Sequence, residues 1–177
     1  MKTLCETTSA RLQENVLETT TSIPAEPNGQ IYKRILVGTD FSEASKAAFE
    51  QGLKLAKQSG AELLLTHAST VPDTLSFMPA EAYDKWELLQ RTETEKNIAG
   101  LVQRAHQEGV KAHRLLLQGL ADDAILYAAK RLAVDLIVVG THGHDKKSRF
   151  FSKSTGERVA SHAPCAVLTA RSPEPIA

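Results

Sequence analysis

Two hydrophobic periods alternate along most of this chain, one suited to strands and the other to helices. Residues 31–39 read as a first strand, with Ile35-Leu36-Val37 at its centre and Gly38-Thr39-Asp40 at its end. Residues 43–59 carry Ala44, Ala47, Ala48, Leu55 and Ala56 along one side of a helix, which Gly60 stops. A second strand spans 62–68, and a loop with Pro72 and Pro79 follows over 69–79. The next helix is long, 80–108, and Gly109 ends it; its middle, 90–97, is almost wholly polar and is expected to face solvent. Strand 110–118, helix 120–132, strand 135–139, helix 154–162 and strand 163–171 complete the series.

Five strands alternating with four helices predict a parallel sheet covered on both faces, because a parallel connection needs a crossover of helical length. In such sheets ligands bind beyond the carboxyl ends of the strands, where strand order reverses. Residues 38–40, Ala68 and residues 140–143 all fall at those ends.

The first thirty residues depart from this pattern. They are rich in Thr, Ser and Glu and finish in Ile23-Pro24-Ala25-Glu26-Pro27-Asn28-Gly29, a turn and linker signature. Leu12, Val16 and Leu17 have helical spacing, so 1–30 is expected to be a flexible leader or a short amphipathic helix. The domain proper is expected at 31–172, with 173–177 as a tail.

Composition narrows the functional classes. The 177 residues are 42% hydrophobic and 24% charged, with formal net charge zero. A balanced charge supplies no general attraction to nucleic acid or to an anionic membrane, so neither is expected as a partner. No run approaches the ~18 residues that suggest a membrane span, and the N-terminus lacks the apolar core of a signal peptide. Cys5 and Cys165 lie at opposite ends with no metal spacing, as free thiols in a reducing compartment would. A cytoplasmic location is the expectation.

The candidate chemistry concentrates near the C-terminal end. The strand Asp135-Leu136-Ile137-Val138-Val139 delivers Gly140-Thr141-His142-Gly143, and Ser154-Thr155-Gly156-Glu157 opens a helix after a short interval. Glycine turns and helix N-termini carry unpaired N–H donors and partial positive charge, which suit a phosphate. Lys146, Lys147, Arg149 and Lys153 precede that helix; cations there oppose its dipole unless an anion visits. The same residues also suit a solvated basic loop, and Ser154 to Glu157 also fits a capping box serving only its own helix. Asp40 can accept hydrogen bonds from a nucleoside, or, with Ser42, cap the first helix. His142 and His144 form a His-x-His pair without further ligands at metal spacing, so a divalent cation carried on ligand phosphates is the more plausible metal. His67 reads as a hydrogen-bonded packing residue, and His106 and His113 attract no role. Neither a Gly-x-Ser-x-Gly elbow, a Walker loop nor a Gly-x-Gly-x-x-Gly after the first strand is present.

Three segments taken in order resemble the universal stress protein family. They are Lys33-Arg34-Ile35-Leu36-Val37-Gly38-Thr39-Asp40-Phe41-Ser42, then residues 135–143, then Glu157-Arg158-Val159 followed by Ala163-Pro164-Cys165-Ala166-Val167-Leu168, and the likeness covers 32–171. The resemblance implies a Rossmann-like open sheet of order 3-2-1-4-5 and a homodimer formed through the last strand, 163–171. One branch of that family binds ATP through Gly, two residues, Gly, nine residues, then Gly followed by Ser or Thr. Gly140, Gly143 and Ser154 match that pattern, whereas Lys153 stands where the third glycine would be. By the same resemblance Asp40 lies on the nucleoside side, Ala68 takes the place of a valine beside adenine, and Gly38 and Thr39 line the pocket. His142 and Thr155 join the loop and the helix start. The implied ligand is ATP or another adenine nucleotide, with Mg2+ or Mn2+ carried on its phosphates, and the implied role is a dimeric stress-response module with unknown protein clients. The alternatives are a dimer that works through protein contacts without nucleotide, or a slow ATPase. Catalysis ranks last, since no general base or nucleophile is convincingly placed.

Overall fold

The structure, a computed structural model, describes residues 31–72, 75, 77–141 and 153–171, the side chains of 153 and 154 excepted. The leader 1–30, the tail 173–177 and Cys5 lie outside the described residues. The elements follow in strict alternation: β1 (Arg34–Gly38), α1 (Glu43–Ser59), β2 (Glu62–Ser69), α2 (Ala80–Gln107), β3 (Ala112–Gln118), α3 (Ala121–Arg131), β4 (Leu136–Gly140), α4 (Lys153–His162) and β5 (Ala166–Ala170). All neighbouring strands pair in parallel, in the order β3-β2-β1-β4-β5. This is the doubly wound architecture that the alternation of elements and the family resemblance implied.

Burial explains the strand sequences. β1 and β4 lie inside the sheet and are covered on both faces, so Ile35, Leu36, Val37, Ile137, Val138 and Val139 are all fully buried. That is why both read as unbroken apolar runs. Alternate residues feed two cores. Ile35, Val37, Leu63, Leu65 and Val138 pack with Ala48, Phe49, Leu53, Ile98 and Ala105 of α1 and α2. Leu36, Leu64, Ile137 and Val139 pack with Ile125, Ala128, Ala129 and Val159 of α3 and α4. β3 and β5 are the edges and show mixed burial.

Local signals set the ends of α1. The Ser42 side chain caps its first turn by accepting from the Ser45 N–H at 3.3 Å. Gly60 closes it in the left-handed region at φ 69°, where glycine avoids a Cβ penalty. Glu43 in the first turn and Lys57 in the last complement the helix dipole. β5 begins at Ala166 rather than at 163, because the Ala163 N–H still bonds back to the Val159 carbonyl and Pro164 has no donor to offer a ladder. α4 is described from Lys153 onward, and Ser154 and Thr155 lie in its first described turn.

The long helix α2 buries only Ile98 and Ala105. Its polar middle faces solvent as expected, and so does most of its N-terminal half, where Leu88 and Leu89 stand 64% and 59% exposed.

Candidate functional site

The carboxyl ends of β1, β2 and β4 form the rim where the chain's path reverses, since β1 has β2 on one side and β4 on the other. Gly38, Thr39, Asp40, Ala68 and Gly140 are brought together there, and Gly38 faces Thr66 in register.

The turn after β1 is braced from several directions. The Thr39 N–H donates to the Thr66 carbonyl at 2.8 Å. Its buried hydroxyl donates to Ser45 Oγ at 3.2 Å and accepts from the Phe41 N–H at 3.1 Å. Asp40 Oδ1 accepts from both the N–H and the hydroxyl of Ser42. Ser42 is therefore the helix cap, and Asp40 secures the cap from two residues upstream of it. Phe41 adopts φ 63°, a conformation that a bulky side chain takes only when its surroundings impose it. Here the ring lies stacked on His67, centroids 4.9 Å apart and planes 24° from parallel.

His67 closes this bracket. Its Nδ1 lies 2.8 Å from the Thr39 carbonyl oxygen, which can only accept, so Nδ1 carries the hydrogen. Burial lowers the His67 pKa below its ordinary value; the Thr39 bond and the Asp40 charge pull the other way without reversing it. The ring is thus neutral near pH 7, with Nε2 left as an acceptor. The expectation of a hydrogen-bonded packing histidine matches this placement.

At the end of β4, Gly140 has a role that the glycine turn alone did not suggest. A Cβ on Gly140 would lie 2.5 Å from the carbonyl C and O of Ala44 and 2.8 Å from the Ser45 N. The missing side chain is what lets the first turn of α1 press against the strand. Beyond it, Thr141 donates to the Ala170 carbonyl through its N–H at 2.7 Å and its hydroxyl at 3.2 Å, so the departing chain remains tied to β5. Thr155, in the first turn of α4, is 7% exposed and turned inward. Ala68 is half-buried. His142, Gly143, His144, Lys146, Lys147 and Arg149 lie outside the described residues, as do the side chains of Lys153 and Ser154. Among the described residues, no group of three His, Cys, Asp or Glu could hold a metal ion, and no helix is long and apolar enough to cross a membrane. Cys165 is a free, half-buried thiol whose pKa burial and the Asp135 charge push up, which disfavours the reactive thiolate.

Ser45, Phe41 and His67 were not expected at this rim as a unit. Only Ser42 had a local signal, in its position before an apolar-periodic run.

Comparison with known proteins settles the family. The model of the universal stress protein family matches residues 31–171. This chain belongs to the universal stress protein family. A universal stress protein of Methanocaldococcus jannaschii is 32% identical over 151 residues, covering 83% of this chain and 87% of that protein. Among solved structures, the universal stress protein UspA from Lactobacillus plantarum is similar with a TM-score of 0.65 at 24% identity, over 79% of this chain and 98% of its own. A universal stress protein in complex with cAMP has a TM-score of 0.58 at 24% identity, over 80% of this chain and 98% of its own. A family member from Arabidopsis thaliana with AMP bound has a TM-score of 0.59 at 21% identity, over 80% of this chain and 92% of its own. At these identities the structural likenesses establish the fold.

Proposed function

We propose that this universal stress protein binds an adenine nucleotide at the rim of β1, β2 and β4, and works as a regulated binding module. The observation that carries the proposal is the convergence of a braced Gly38-Thr39-Asp40 turn, Ala68, the end of β4 and the start of α4 at one switch point. Asp40 and Ala68 would receive the nucleoside. Gly140, His142, Gly143 and the first turn of α4, Lys153 to Thr155, would receive the phosphates through backbone N–H groups. Family members solved with AMP and with cAMP support an adenine nucleotide as the ligand. ATP is the proposed physiological species, with Mg2+ or Mn2+ carried on its phosphates, and β5, an edge strand, is the proposed homodimer seam.

Isothermal calorimetry with ATP, ADP, AMP and cAMP tests this directly: saturable heat is expected, and none at millimolar ligand overturns it. Gly143→Val should abolish that heat and leave fold and subunit number unchanged; unaltered affinity would move the ligand elsewhere. Native mass spectrometry of the purified protein reports subunit number and any retained nucleotide together. A second reading, a module acting through protein contacts without nucleotide, is favoured by Lys153 in place of glycine. It predicts a dimer that carries no ligand.

A further inference from the structure

Outside the rim, one arginine joins the two helices of a single face. Arg158 of α4 sets its Nε 2.7 Å from Oδ2 of Asp122 and its Nη2 3.3 Å from Oδ1 of Asp123. Both carboxylates belong to the first turn of α3. Asp122 is 5% exposed, so its charge is held almost out of water. A carboxylate at a helix N-terminus already gains from the dipole, but a buried charge without a partner is costly. Arg158 supplies that partner from the neighbouring helix.

Val159 adds an apolar grip between these helices. Fully buried, it packs with Ile125, Ala128 and Ala129 of α3. Apolar contact is non-directional, so by itself it leaves α4 able to turn and slide by fractions of an ångström. A planar guanidinium forked across two carboxylates is directional and fixes both rotation and register. Only the Asp122 side of the pair is buried, the Arg158 side chain being 52% exposed, so the pair adds little net stability and geometric specificity is its more defensible role. Arg158 lies only about 8 Å along the helix axis from Lys153, a distance over which a helix is stiff.

We propose that the Asp122–Arg158 pair is a positioning device that sets the N-terminus of α4 against the phosphates of the bound nucleotide. This rests on the nucleotide site proposed above. A misplacement of about 1 Å at a group that must meet a ligand is enough to weaken the contact substantially. The pair acts on the phosphate end and leaves the nucleoside end, held by the turn after β1, as it is.

The test separates those ends. Calorimetry with AMP, ATP and adenosine is run on the full chain and on Asp122→Asn and Arg158→Lys, each first shown folded by thermal unfolding. Asp122→Asn removes the charge at constant shape; Arg158→Lys keeps charge and loses the fork. In both, affinity for AMP and ATP is expected to fall roughly three- to thirtyfold, with adenosine unchanged. Equal weakening of adenosine, or undiminished AMP affinity in the folded variants, overturns the proposal. If the unaltered protein binds none of the three ligands, the nucleotide site is what fails. Amide hydrogen exchange then decides the positioning role alone: in Asp122→Asn the amides of 157–160, which bond to the first-turn carbonyls, should exchange roughly three- to thirtyfold faster. Unchanged exchange there overturns it.

Discussion

Gly140→Ala adds one methyl group where the backbone of α1 already stands. The new Cβ would lie 2.5 Å from the Ala44 carbonyl and 2.8 Å from the Ser45 N. Ordinary contact needs about 3.5 Å, so the first turn of α1 must retreat by about 1 Å. It cannot retreat alone, because Ala48 and Phe49 of the same helix are buried at 0% and 1% exposure against the sheet. The neighbour is backbone, with no flexible side chain to swing aside. Overpacking of this kind costs about 1–3 kcal/mol, and the rigid neighbour puts this case near the upper end. For a domain of this size that corresponds to a fall in Tm of about 5–12 °C. Gly100→Ala is the contrast. Gly100 sits within α2 with nothing within 4 Å of an added Cβ, so the same substitution should stabilise by about 0.5–1 kcal/mol through helix propensity. Urea denaturation of both variants, compared at equal m-value, reads the two signs in one experiment. A Gly140→Ala protein with an unchanged midpoint would refute the close approach of α1 to β4.

Three further outcomes follow from the rim and its surroundings. Thr66 Oγ1 is buried with no hydrogen-bond partner among the described residues, so Thr66→Val should raise stability by about 1–2 kcal/mol in urea titration; a lowered midpoint would reveal a hidden partner. The His67 pKa is lowered in the fold, so its contribution to stability is complete above the unfolded value near 6.5. That contribution is lost as pH falls from there through the folded value, because only the unfolded chain takes the proton first. His67→Asn, which keeps a donor toward the Thr39 carbonyl, should flatten the dependence of the urea midpoint between pH 7.5 and 5, and a wild-type slope in the variant would reassign the titration. Glu62 is a separate case at lower pH: burial pushes its pKa up, but Lys111 with His113 and Arg34 outweighs this and holds it below the ordinary carboxylate value. Finally, Lys153→Met removes the ammonium from the start of α4 and keeps most of the stem. ATP affinity should fall by about two- to fivefold, more than that of AMP, whereas tighter ATP binding would show that the lysine obstructs the phosphates.

What could be read along the chain was what neighbours along the chain decide. The apolar runs of β1 and β4, Ser42 before α1 and Gly60 after it are local signals, and the elements fall within a few residues of expectation. α2 shows where local pattern stops being informative. At 28 residues it runs about 42 Å, whereas strands of five to eight residues span about 17–26 Å, so it overruns the sheet. Leu88 and Leu89 therefore stay exposed although apolar residues on a helix ordinarily point to a core. Nothing near them in sequence records the length of strands elsewhere.

The rim was legible in position and opaque in mechanism, for the same physical reason. A parallel sheet must bring its carboxyl ends to one side, so Gly38, Asp40, Ala68 and Gly140 could be placed together from topology alone. The bonds that make the rim rigid join residues far apart in the chain: His67 to the Thr39 carbonyl across 28 positions, and Gly140 to the α1 backbone through an absent methyl group. Phe41 is the extreme case. An aromatic residue is a poor sequence signal for positive φ, and only its stack on His67 makes that conformation understandable. The strain at Phe41 is held by His67, His67 is oriented by Thr39, and Thr39 is fixed by Ser45 at the start of the helix that Gly140 admits. Each link is weak alone, and breaking Gly140 should loosen all of them together. A Gly140→Ala protein ought therefore to lose adenosine affinity as well as stability, whereas Asp122→Asn ought to spare adenosine and lose the phosphates.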